Sequence, residues 1–289
     1  MERKKYASPA AMRIALEERI NRNARESDQD IARLRRQAAF DRLLARIFSG
    51  PLSNRMVLKG GYAIELRLHK ARTTKDIDIC IDNRKKTFAT DKAHLLETVR
   101  EAAAIELGDF FEYAIGESIL NLENAPYGGH RFPVECRMAG RRFAYFHIDI
   151  ALGDVWIDTH EELQGKKWLE FAGISAPKIP TISPEQQFAE KIHSYSLPRQ
   201  TPNSRTKDLV DMVLLIEQCD LDPKQLYDAV VKTFKRRKTH EIPVELEDPP
   251  KSWQGQFIKL AEEVGMHDNL DSAISKVRQL YKTIFKKPH

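Results

Sequence analysis

The run Asp76-Ile77-Asp78-Ile79-Cys80-Ile81 alternates polar and apolar side chains with a period of two over its first four residues. That period belongs to a strand, where successive side chains point to opposite faces. Ile77, Ile79 and Ile81 can then enter a core while Asp76 and Asp78 share the other face. The run Tyr145–Ala151 repeats the device, with Ile148 and Ile150 inward and Asp149 outward. If the two strands are neighbours, ~4.8 Å apart, all three carboxylates converge. Three such anions repel one another unless cations lie between them, and a pair of Mg²⁺ ions is the usual remedy where carboxylates meet phosphates. A lone Asp-x-Asp is more often an ordinary solvated strand edge than a metal site, so its surroundings decide.

Upstream, the short apolar strand Met56-Val57-Leu58 runs into Gly60-Gly61, and a helix of about two turns follows from Tyr62 to His69. A glycine turn between strand and helix offers backbone N–H groups and lets the chain approach a phosphate closely. Phosphatases of the haloacid-dehalogenase type also use Asp-x-Asp, but after a buried apolar strand. Here the preceding residues, Arg72-Thr73-Thr74-Lys75, are polar, which excludes that chemistry.

Residues 8–48 read as helical, with Ser8-Pro9 as a start and Gly50-Pro51 as a stop. A helix is expected over Asp91–Leu107, and strands over Phe110–Ala151 with turns at Pro126-Tyr127-Gly128-Gly129 and Met138-Ala139-Gly140-Arg141. Pro177, Pro180 and Pro184 mark a linker. Beyond it the spacing predicts helices over Pro184–Ser196, Lys207–Cys219, Pro223–Lys235, Trp253–Val264 and Leu270–Phe285. Ser183-Pro184-Glu185-Gln186 reads as an N-cap, a Pro at the first helical position and a capping-box Gln. The expected organisation is a basic helical region over 1–50, a mixed-sheet core over 51–176 and a helical domain over 177–289, hence α+β.

In 289 residues no apolar run approaches the ~20 needed to span a bilayer. The charged N-terminus lacks a secretory apolar stretch. Cys80, Cys136 and Cys219 are widely spaced, without metal-binding spacing, which points to reduced thiols in the cytoplasm. The net charge of +5 is uneven: residues 1–55 hold thirteen Lys and Arg against seven Asp and Glu. Further basic clusters lie at Lys232–Lys238 and at Lys282, Lys286 and Lys287. Such clusters suit a polyanion, although each can equally be a solvated helix face.

Four blocks resemble the AbiEii/AbiGii toxin family, which includes the MenT-type toxins. They are Leu58-Lys59-Gly60-Gly61-Tyr62-Ala63, Arg72-Thr73-Thr74-Lys75-Asp76-Ile77-Asp78, Phe188-Ala189-Glu190-Lys191-Ile192-His193 and Arg205-Thr206-Lys207-Asp208-Leu209-Val210-Asp211. The resemblance extends from about residue 50 to the end. It implies the polymerase-β-like nucleotidyltransferase fold, a mixed sheet with flanking helices plus a C-terminal helical domain. It also implies transfer of a nucleotide from an NTP to an acceptor, in toxin–antitoxin or phage-defence loci with a cognate antitoxin. In some members the acceptor is RNA, the 3′ end of tRNA.

The family's functional positions map onto Gly61, Asp76, Asp78, Lys191 and Asp208, and the wider superfamily adds Asp149. Gly61 stands where many members have Ser. On this reading Asp76, Asp78 and Asp149 hold the metals, and Gly60, Gly61, Thr73, Thr74 and Lys191 bind nucleotide. The helical domain contributes Lys191 and Asp208 to the site, with Asp211 as the alternative acid. Arg33, Arg36, Arg42, Arg236, Arg237 and Lys238 are candidates for RNA-backbone contact. Two other readings compete: a catalytically silent nucleic-acid-binding or antitoxin-like protein of the same fold, and transfer to a protein or small molecule.

Overall fold

The computed structural model describes residues 6–50, 53–82, 92–121, 128–155, 160–199 and 205–286. The expected features at Pro51, Asp91, Pro126-Tyr127 and Lys287 lie outside them. The chain forms two compact units: Met1–Leu66, Thr73–Asp154 and His160–Thr181 in the first, and Arg67–Arg72, Val155–Thr159 and Ile182–His289 in the second.

The first unit opens with α1 (Pro9–Ser27) and α2 (Ile31–Ile47). The single helix expected over 8–48 is interrupted because Asp28 turns left-handed at φ 52° and the Asp30 carboxylate accepts from Arg33 N, capping a new helix. Short polar side chains favour such local bonds over helix continuation. The remaining elements are β1 (Met56–Lys59), α3 (Gly60–Arg67, whose last residue belongs to the second unit), β2 (Asp76–Ile81) and α4 (Lys92–Ala103). They continue with β3 (Phe111–Ile115), β4 (Leu120–Asn121), β5 (Gly129–Met138), β6 (Arg141–Leu152), β7 (Glu161–Gln164) and β8 (Lys178–Thr181).

These strands form a mixed sheet in the order β3-β5-β6-β2-β1-β8-β7, with β4 paired to β5. β5 and β6 make an antiparallel hairpin whose two turn residues, Ala139 and Gly140, both take positive φ, as a two-residue hairpin loop requires. β2 runs antiparallel to β1 and parallel to β6. Ile77, Ile79 and Ile81 join Ile148, Ile150, Phe132 and Val134 in a core shared with Phe40, Leu43 and Leu44 of α2. The Phe40 ring meets Tyr62 and Phe146 edge-on at 4.8 and 4.7 Å.

The Pro-rich stretch expected as a linker contains β8, which pairs with β1 at Leu58 and Thr181 and with β7 along its length. Ile179 and Thr181 are buried, so the period of two was present but masked by its prolines.

Arg42 is corrected as a candidate RNA contact. It is 5% exposed, and with Arg46 it clamps the fully buried Asp109 at 2.6 Å each. Burial would raise the Asp109 carboxyl, but the two guanidiniums outweigh it and hold it below the carboxylate range.

The second unit holds α5 (Pro184–Ser196), α6 (Thr206–Gln218), α7 (Pro223–Arg237), α8 (Gln254–Val264) and α9 (Leu270–Phe285). Ser183 Oγ accepts from Gln186 N as expected. Gln186 does not complete a capping box: its amide donates to Thr233 Oγ1 at 3.1 Å, tying α5 to α7. Among the described residues no helix is long and apolar enough to cross a membrane.

Candidate active site

The parallel register of β2 and β6 sets Asp78 beside Asp149 and Asp76 beside His147. Register partners share a face of the sheet, so the three carboxylates lie on the face opposite the isoleucines. Asp76 is 31% exposed at its side chain and Asp149 11%. His147 Nδ1 stands 3.1 Å from Asp76 Oδ1. On β5, Arg131 is the register partner of Asp149 and donates Nε and Nη2 to its two oxygens, both at 2.7 Å. The same Nη2 is 3.6 Å from Asp76 Oδ2. These Asp149 bonds outweigh partial burial and raise the Arg131 guanidinium above its ordinary value.

The glycine turn fits closely under this row. Gly60 has φ 67°, a left-handed conformation that other residues adopt at a cost. A Cβ there would fall on the Asp78 carboxylate and within 2.8 Å of the Asp78 Cβ. Thr74 Oγ1 lies 3.4 Å from Asp76 O, and its N–H points to Glu65 Oε2 at 3.4 Å. At the end of β1, Lys59 pairs with the buried Asp154 at 2.6 Å.

In the second unit, Lys191 of α5 donates to Asp208 Oδ1 at 2.8 Å and lies 2.9 Å from Asp211 Oδ2, both on α6. Arg72 closes the cluster with a two-point contact to Asp211 at 2.9 and 2.8 Å. Burial would lower the Lys191 ammonium, but Asp208 and Asp211 overcome this and raise it. Asp211 is held low because Lys191 and Arg72 outweigh its burial. The lysine thus contacts both acids between which the sequence left the choice open. Asp208 Oδ2 is buried without a hydrogen-bond partner among the described residues.

Of the basic candidates, Arg33 pairs with Glu65 at 2.6 Å, and Arg237 with Glu190 at 3.4 Å. Lys238 is exposed at the C-cap of α7, and Arg36 and Arg236 are half-buried.

The model of the family described as nucleotidyl transferase AbiEii toxin, type IV toxin–antitoxin system, matches residues 42–281. The chain belongs to the AbiEii family. In fold it is similar to MenT4, the nucleotidyltransferase toxin Rv2826c from Mycobacterium tuberculosis H37Rv, at a TM-score of 0.63 and 16% identity over 94% of this chain and 90% of that one. A weaker similarity links it to JHP933 from Helicobacter pylori, at a TM-score of 0.47 and 13% identity over 85% and 88% of the two chains. None of the curated proteins matches it significantly in sequence.

This AbiEii nucleotidyltransferase carries hard oxygen donors where Asp76 and Asp78 stand, on one face and partly open to solvent, which suits a divalent cation. Among the described residues no three His, Cys, Asp or Glu side chains make a ready metal cage, and Asp149 is already engaged by Arg131. Sequence reasoning passed over Arg131, His147 and Arg72. The alternation of Phe132 and Val134 puts Arg131 on the polar face, but only the strand order shows which carboxylate it meets.

Proposed function

We propose that this AbiEii family member is a Mg²⁺-dependent toxin that transfers a nucleoside monophosphate from an NTP to RNA, at the 3′ end of tRNA, and so blocks translation. The observation that supports this most is the β2–β6 register, which puts Asp78 beside Asp149 with Asp76 two residues along the same face, against the Gly60 turn. In this reading Asp76 and Asp78 hold the magnesium, which supplies charge neutralisation for the phosphates and polarises the attacking hydroxyl. Gly60 lets the Asp78 carboxylate lie against the turn, and the first N–H groups of α3 and the hydroxyls of Thr73 and Thr74 serve as phosphate donors. Lys191 acts as a point charge for the triphosphate, kept protonated and oriented by Asp208 and Asp211. The exposed Lys232, Lys235 and Lys238 suit a polyanionic acceptor. A cognate antitoxin, a cytoplasmic setting and a part in phage defence belong to the same reading.

The test is incubation of the full chain with Mg²⁺, each labelled NTP in turn, and total tRNA. The RNA should become labelled, and Asp76→Ala and Lys191→Ala should abolish labelling while the circular dichroism spectrum is kept. Label appearing on protein instead would redirect the acceptor. No label at all, or full activity in both variants, would defeat the proposal.

A further inference from the structure

Arg131, Asp149 and Asp78 occupy one row across three adjacent strands, β5, β6 and β2, on the polar face of the sheet. The fork of Arg131 closes both oxygens of Asp149, a side chain only 11% exposed, and its Nη2 reaches toward Asp76. Such two-point guanidinium–carboxylate pairs are directional and strong, so a metal at Asp149 would first have to displace both bonds.

We propose that Arg131 is a resident cation of the carboxylate row, which removes Asp149 from the metal ligands and leaves Asp76 and Asp78 to bind one divalent ion. Arg131 is thus a positioning residue: it acts through Asp149 and fixes how many metals the site takes. This rests on the nucleotidyltransferase reading, but its test is independent of turnover.

Binding of Mn²⁺ alone to the full chain is measured from the loss of the free-ion signal in electron paramagnetic resonance. The wild type should bind one ion. The double variant Arg131→Gln/Asp149→Asn removes the pair without changing net charge, and should still bind one ion with unchanged affinity. Arg131→Gln alone frees Asp149 and should take up a second ion, whereas Arg131→Lys keeps the charge and should bind one. Asp78→Asn should lose the ion. The proposal is overturned if the wild type binds none or two, if the double variant loses the ion, or if Arg131→Gln binds as the wild type does. Should the double variant not fold, the contrast between Arg131→Gln and Arg131→Lys decides. Labelling of tRNA by the wild type, run in parallel, separates the two ideas: transfer with the wrong stoichiometry sinks only this one, and absent transfer sinks the functional reading.

Discussion

Replacing Gly60 by alanine isolates the contact between the glycine turn and the Asp78 strand. Two costs arise. Holding a non-glycine residue in the left-handed region costs about 1–2 kcal/mol. The lower entropy of the unfolded chain returns about 0.4–1 kcal/mol. The new Cβ must also displace Asp78, whose Cβ lies 2.8 Å away, and overpacking of this kind costs about 1–3 kcal/mol. Gly140 provides the comparison, because its φ of 71° is similar and nothing lies within 4 Å of a Cβ there. Gly140→Ala should therefore cost at most about 1.6 kcal/mol, and Gly60→Ala about 1–3 kcal/mol more than that variant. Urea unfolding followed by circular dichroism measures both, and tRNA labelling should fall in Gly60→Ala but not in Gly140→Ala. Equal destabilisation by the two variants would refute the close seat of Asp78 on the turn.

Two further outcomes concern buried carboxylates of the first unit. Asp109→Asn strips Arg42 and Arg46 of their shared counter-ion and should cost about 3–5 kcal/mol in urea unfolding. Asp41 accepts from Tyr62 Oη, Lys166 N and Trp168 Nε1, yet its burial pushes the carboxyl up from 3.8 to about 6. The folded chain therefore holds this proton where the unfolded chain has released it. The stabilisation is whole below pH 3.8 and is lost as the pH rises through about 6, a change of about 3 kcal/mol. In Asp41→Asn the stability difference between pH 4 and pH 7 should shift by about 2 kcal/mol, most of that change, and an unchanged difference would refute the assignment.

What could be read in the sequence follows from how local each signal is. The limits of β2, α5 and α9 match the expected spans because period and capping residues lie within each segment. The break at Asp28 falls in the polar run Ser27-Asp28-Gln29-Asp30, where Asp30 is itself a helix-capping residue. Its signal is therefore local, although composition alone does not interrupt a long helical reading there. Arg42 shows the converse error: its sequence context suits contact with an RNA backbone, whereas Asp109, distant in sequence, draws it inside. Arg131 could be assigned a face but not a partner, since the order of strands is a property of the whole sheet. The same holds for Arg72, whose place in the Lys191 cluster depends on where Asp211 stands.

The pairing of β2 with β6 also governs when this site can exist. Roughly seventy residues separate Asp78 from Asp149, and a loop of that length closes slowly compared with a helix or hairpin. During synthesis Asp76 and Asp78 emerge well before the β5–β6 hairpin that brings Arg131 and Asp149 beside them. A nascent chain stopped before residue 141 has β1 to pair with β2 but lacks β6, the strand that sets Asp149 beside Asp78. The carboxylate row therefore forms only once β6, through Leu152, has been made, a delay imposed by topology alone.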